Sequence, residues 1–286
     1  MFFGPLPSPP PAAQVQAAPA EASPAAMEAL VKAKDWAGLA DWFESATPST
    51  RGKHYDVWLQ SLNRSRRWAR LVEVCEALQP QLEAKSGPRL GLYRLYRAQG
   101  LGQLGRHAEA AFAYMEVARL GGLAGFTNAC SEAQLGEDWD DMLAWSEEWL
   151  QKYPGDAAGQ AWLGDALAHQ GKLVEAEAYL RAAVEKDPKL AYAWNNLGRC
   201  LNLKKAWAEA RTALTKSLAL EPGQVEPLMS RGKAQFELGQ YAESRDDFRA
   251  ALALRPGDPV LQENLRQAER YLLTQTPKKA PGSGRP

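Results

Sequence analysis

The residues able to do chemistry are few and widely separated. His54, His107 and His169 are the only histidines. None has a Ser, Cys or carboxylate at a local spacing that would make an activated nucleophile, which needs a base within hydrogen-bond reach. Cys75, Cys130 and Cys200 are odd in number, distant and in no Cys-x-x-Cys pair, so neither a disulfide framework nor a zinc site is signalled. They read as free buried thiols, which favours a reducing compartment. Gly100-Leu101-Gly102-Gln103-Leu104-Gly105 spells Gly-x-Gly-x-x-Gly. A dinucleotide fingerprint follows a strand and opens a helix. Here the stretch follows a helical pattern, so it reads as the turn between two helices. Glu137-Asp138-Trp139-Asp140-Asp141 lacks the spaced oxygen ligands of a calcium loop. Carboxylates at a helix start favour the dipole and cap free amides, so this cluster is expected to open a helix. The sequence therefore offers no catalytic residue, no metal site and no cofactor site.

The bulk composition points the same way. The 286 residues carry 34 Lys+Arg against 34 Asp+Glu. A zero net charge argues against nonspecific nucleic-acid binding, which draws on excess positive charge. The one dense basic run, Arg64, Arg66, Arg67 and Arg70, encloses Trp68, which reads as a packing ring. No apolar run approaches the length of a membrane span. Ten tryptophans suit wedges between helices. Residues 1–26 are rich in Pro and Ala and lack the basic and apolar regions of a signal peptide, so they read as a disordered leader. Residues 275–286 read as a weakly basic, disordered tail.

The elements that must position any site are set by a period. Pro154, Pro188, Pro222 and Pro256 follow one another at 34 residues, as do Gly164, Gly198 and Gly232. Repetition at that spacing means stacked structural repeats. Within Ala191–Pro222, Trp194, Leu197 and Leu201 fall at helical spacing, then Ala210, Leu214 and Leu218 do so again, with Lys204-Lys205-Ala206 between. Pro222 closes the second helix, having no amide hydrogen to donate. Gly198 and Ala210 are small where two helices must approach closely. A ring or large residue marks the start of each second helix: Trp36, Trp68, His107, Trp139, Leu173, Trp207 and Tyr241, at steps of 32, 39, 32, 34, 34 and 34 residues. Seven helix pairs are predicted from about Glu21 to Pro256. The 39-residue step leaves a loop near Lys85–Pro88, and a last amphipathic helix starts at Gly257-Asp258-Pro259.

The segments 157–188, 191–222 and 225–256, with early Trp or Leu-Gly and later Ala, Leu or Phe, Ala and Pro, resemble the tetratricopeptide repeat. The upstream repeats are degenerate: Cys130 replaces the packing glycine, and Met142 and Trp149 replace alanines. The resemblance implies an all-α, right-handed superhelical solenoid of about seven helix hairpins with a C-terminal capping helix. It divides the chain into the leader 1–26, degenerate repeats 27–122, an array 123–256 with its clear repeats at 157–256, the cap 257–274 and the tail 275–286.

The resemblance also implies a function. In this family, side chains of each first helix line a concave face that holds peptides or partner helices. The corresponding positions here are Tyr192, Asn195, Asn196, Arg199 and Asn202, with Trp162, Asp165 and His169 before them and Met229, Ser230, Lys233 and Phe236 after. Asn128, Ser131 and Tyr96 continue the line upstream. Asn both donates and accepts, which suits a peptide backbone. Asn195, Asn202 and Arg199 have no packing duty evident in the sequence, and Arg199 is of a type that pairs with a carboxylate. The family's chaperone-binding carboxylate clamp is not matched: Ala161, Asp165, Asn196, Glu226 and Ser230 stand at its positions, and only Asn196 fits. The expected protein is a non-catalytic, cytoplasmic scaffold binding a protein segment, with no nucleic acid, small-molecule substrate or membrane insertion. The alternative is a cell-envelope assembly or secretion accessory protein, periplasmic or membrane-associated, with its anchor or signal upstream.

Overall fold

The computed structural model describes residues 23–83 and 89–275. The leader before Ser23, the expected loop at 84–88 and the tail after Gln275 lie outside the described residues. Every regular element among the described residues is an α-helix. The chain divides between Leu104 and Gly105 into two units.

The first unit holds α1 (Pro24–Ala33), α2 (Trp36–Ser45), α3 (Pro48–Lys53), α4 (Tyr55–Arg64), α5 (Trp68–Glu83) and α6 (Arg89–Gln103). Ser23 caps α1 by accepting from the Ala26 amide, with Pro24 in the first helical position. The short α3 has no counterpart in the repeat pattern. Its Arg51 donates back to the carbonyls of Ala46 and Glu44 at the end of α2, at 3.0 and 3.1 Å. The core is aromatic: Phe43 and Trp58 stack at 6.1 Å, and Tyr93 is fully buried beside them. Arg51 and Arg70 lie over the Trp58 ring, and Arg64 lies over Trp36. Arg67 pairs with Asp41 and Arg70 with Glu44, so much of the basic run is neutralised where it stands. Gly100 is buried on α6, where a Cβ would sit 2.8 Å from Val72 Cγ2 of α5. The glycine-rich stretch is a helix end and turn, as its context implied.

The second unit holds α7 (His107–Arg119), α8 (Leu123–Leu135), α9 (Trp139–Lys152), α10 (Ala157–His169), α11 (Leu173–Lys186), α12 (Ala191–Leu203), α13 (Trp207–Leu220), α14 (Val225–Glu237), α15 (Tyr241–Leu254) and α16 (Pro259–Gln275). All seven markers open a helix at their own residue. The boundary between units, however, divides the third expected pair, leaving α6 in one unit and α7 in the other. Within this unit the helix pairs stack as the all-α repeat solenoid that the resemblance implies.

Close packing follows the glycines. A Cβ on Gly164, Gly198 or Gly232 would lie 2.6 Å from Leu180, 2.4 Å from Leu214 or 2.9 Å from Phe248. Each large residue fills the room its glycine leaves. One repeat earlier the arrangement is reversed: Cys130 stands opposite Ser146, both fully buried. The turns follow the same register. Gly171 and Gly239 adopt φ of +78° and +75°, and Glu137 and Lys205 hold the same left-handed conformation without glycine's freedom. The acidic cluster does open α9, but Asp138 at the cap position makes no side-chain bond to a free amide. Asp140 accepts from Gln170 instead. The helix-start role is met by Asp140 and Asp141 in the first turn.

Candidate functional site: the first-helix groove of the second unit

Successive first helices α8, α10, α12 and α14 touch one another, and α14 touches α16. Successive second helices make no comparable contact among the described residues, so the array curves with its first helices inside. The face is organised around one carboxylate. Asp165 of α10 is 1% exposed. It accepts hydrogen bonds from Gln134 Nε2 of α8 at 2.9 Å, from the Tyr192 hydroxyl at 2.8 Å and from Arg199 Nη1 of α12 at 3.0 Å. A buried carboxylate persists only with such donors, because desolvation of the charge is costly. The Asp165 network thus ties three consecutive first helices together.

Arg199 is held at both terminal nitrogens of its fork. Nη1 also donates to Asn196 Oδ1 at 3.1 Å, and Nη2 donates to His169 Nε2 at 2.9 Å. A guanidinium has no lone pair, so the imidazole must accept there, neutral with its proton on Nδ1. Burial holds the His169 ring below its ordinary pKa, with the Arg199 cation helping and Asp165 opposing. The ring stacks on Trp139 at 3.5 Å. Burial, then the Asp165 charge, raises the Tyr192 hydroxyl well above its usual value. Trp162 packs under Tyr192 at 4.3 Å and is itself buried.

Two pockets open along α12 and α14. One, of about 460 Å³, is lined by Asn202, Lys233 and Phe236, with Val260, Asn264 and Gln267 of α16. The other, of about 430 Å³, is lined by Tyr192, Asn195, Gln224 and Pro227, with Gln134 of α8. Arg199, Met229 and Ser230 belong to both, so the two form one line.

The structure therefore brings together Tyr192, Asn195, Arg199, Asn202, Met229, Ser230, Lys233 and Phe236. Asn196 is buried behind them, accepting from Arg199. Trp162 and His169 support the wall and line neither pocket. Asn128 and Ser131 are half-buried on α8 and line neither, and Tyr96 belongs to the first unit. Two expectations are corrected. Arg199 is not without a structural duty, because it pairs with Asp165 of the preceding repeat. Asn202 is not without a structural duty, because its Nδ2 donates to the Ser230 carbonyl of α14 at 2.8 Å. Asn195 Oδ1 and Asn202 Oδ1 are buried atoms with no protein partner.

Asn264 and Gln267 were missed although the period reaches them. Each lies 34 residues after a groove position, Ser230 and Lys233. Reading α16 only as a cover hid its role as a further first helix. Gln134 had the same signal, two periods before Asn202 and three before Phe236, but its bond to Asp165 joins different positions of two repeats and is not given by the register. Among the described residues no group of three or more His, Cys, Asp or Glu side chains is placed to hold a metal. No helix there is long and apolar enough to cross a membrane. Burial pushes the Cys75 and Cys130 thiols up to about 12 and raises Cys200, as suits inert core thiols.

Two models of the tetratricopeptide repeat match, over residues 167–236 and 225–258. A 114-residue segment is 27% identical to rat (Rattus norvegicus) sperm-associated antigen 1, covering 40% of this chain and only 13% of that protein. The fold is similar to a chain of the APC/C hetero-tetramer Cut9-Hcn1, with a TM-score of 0.60 at 16% identity over 85% of this chain and 45% of that one. It is also similar to a thermophilic repeat protein of Thermus thermophilus, with a TM-score of 0.52 at 19% identity over 63% of this chain and 99% of the other. The matched repeats coincide with the helix pairs whose glycines, turns and terminal prolines keep the 34-residue register, and residues 167–258 are tetratricopeptide repeats.

Proposed function

We propose that the second unit is a non-catalytic scaffold that holds a segment of another protein in the groove along α12 and α14. The observation that carries this reading is the pair of pockets joined at Arg199, Met229 and Ser230. The groove offers apolar floor, fixed amides and a rigid wall, which is how preformed surfaces capture peptides without ordering cost to themselves. The Asp165 network supplies the rigidity. Asp165 and Glu226 stand where a carboxylate clamp would need compatible groups, so the ligand is not expected to be held by a terminal carboxylate at those positions. The test is affinity capture from native lysate with mass spectrometry, comparing wild type with an Asn195→Ala, Met229→Ala, Lys233→Glu variant. Arg199 is left intact, because replacing it would expose Asp165 rather than probe the groove. Partners lost only from the variant are expected. Equal capture by both proteins, with helical circular dichroism unchanged, would sink the groove reading.

A further inference from the structure

We infer that the pocket between α12, α14 and α16 is a specificity pocket for one large apolar side chain of the bound segment, with Asn202 reading the backbone N–H beside it. The inference rests on the groove reading and adds what the ligand must look like. Its first support is the forced orientation of Asn202. The Ser230 carbonyl can only accept, so the Asn202 atom facing it must be Nδ2. Oδ1 is then fixed as an acceptor. Asn202 is 7% exposed, Oδ1 has no protein partner, and the residue lines the pocket. A buried acceptor of that kind is satisfied by an N–H of whatever enters.

The second support is the floor. Met229, Phe236, Phe248 and Val260 line the pocket, with Asn264 and Gln267 on the α16 side. Phe236 is held in turn by Tyr241 and Tyr271, at 5.1 Å each, so the floor is braced by rings rather than loose. Lys233 and Glu237 both stand in the lining and offset each other in charge. Arg199 is committed to Asp165, Asn196 and His169. A charged side chain entering there would be desolvated without a dedicated counter-ion, whereas a Leu, Met or Phe would gain burial. The volume of about 460 Å³ lies within the range of ligand pockets and leaves room for one such side chain with adjoining backbone. On this reading α16 is a wall of the site as well as a cover for the last repeat.

The probe is a displayed library of random dodecapeptides, selected on the full chain and on a Val260→Trp variant. Val260 is 57% exposed, so the indole fills the pocket mouth without disturbing the core. Asn202→Leu is the second variant. It keeps the approximate size but removes both the acceptor and the donor to Ser230, and its fold is checked by circular dichroism. Selected peptides are expected to share one Leu, Met or Phe position, and replacing that residue by Ala in a synthetic peptide should weaken binding at least tenfold. The same peptides should lose at least tenfold on Val260→Trp. For Asn202, methylating the peptide nitrogen that follows or precedes the anchor should cost wild type at least tenfold and Asn202→Leu much less. Peptides that bind wild type and Val260→Trp equally, while losing affinity to Asn195→Ala, would overturn the pocket and leave the groove standing. A selection yielding no binder would overturn both.

Discussion

Around Trp58 the first unit is packed by rings; around Gly198 the second is packed by the lack of a side chain. In the first case Phe43 stacks on the indole and two guanidinium groups cover it. In the second, Leu214 fills the space directly over the glycine. Both are solutions to the same problem, bringing helices together with no void. They differ in what they transmit along the chain. Glycine packing keeps a constant helix separation from repeat to repeat, so first-helix side chains arrive in register and build a continuous face. Ring packing sets each helix separation by the local ring, and the 34-residue register is lost there. The clear repeats, not the ring-packed ones, carry the groove.

The comparison extends to charge, and this is where the largest effect is expected. The first unit's Arg67–Asp41 pair is exposed. Asp165 is buried. Asp165→Ala should cost the second unit about 3–5 kcal/mol by leaving Gln134 and Tyr192 without their acceptor and Arg199 without its counter-charge. Asp41→Ala should leave the first unit's stability nearly unchanged, because solvent screens a pair that open. Urea titration of each variant reads both effects. Equal costs would show that the Asp165 network does not differ in kind from the surface pairs.

Next come the packing pairs. Trp58→Ala should cost about 3–5 kcal/mol through the cavity it leaves. Gly198→Cys should cost about 1–3 kcal/mol by overpacking against Leu214. The Cys130–Ser146 arrangement supplies the rescue: Gly198→Cys with Leu214→Ser should be less destabilised than the sum of the single variants. A double-mutant cycle on thermal unfolding measures the coupling, and strict additivity would mean that Gly198 and Leu214 do not sense each other.

Turn strain gives a smaller gain. Lys205 holds φ at +62° where Gly171 and Gly239 occupy the equivalent turns. Lys205→Gly should stabilise the second unit by up to about 1 kcal/mol, the relief of left-handed strain being partly offset by added freedom in the unfolded chain. No change or a loss in urea midpoint would contradict this.

The smallest effect is a pH dependence confined to the second unit's network. His169 sits below its ordinary value of 6.5, so the unfolded chain binds protons there that the folded chain refuses. Stability from this group is full above about 6.5 and falls as the pH drops through that value toward the folded pKa. The groups facing the ring are Asp165, Arg199, Glu137 and Trp139. The urea midpoint of wild type should therefore fall more between about pH 7.5 and 5.5 than that of His169→Gln. Identical slopes would place the His169 ring outside the network.

Much of this was legible in the sequence because it repeats. Prolines and glycines at 34 residues fix helix ends and close approaches, and both act through local sterics that need no knowledge of the rest of the chain. The same register placed Asn195, Arg199, Ser230 and Lys233 on one face, and carried one step further it would have placed Asn264 and Gln267 there. What only the tertiary structure decided is how those side chains are used. Arg199 and Asp165 are 34 residues apart in sequence and 3.0 Å apart in space, and nothing in either residue's neighbourhood says that they will meet each other rather than a ligand. The same holds for Asn202, whose propensity cost in a helix is visible locally while its bond to Ser230 belongs to another repeat. Local sterics determine backbone register; the partner of a long polar side chain depends on which repeat lies across from it.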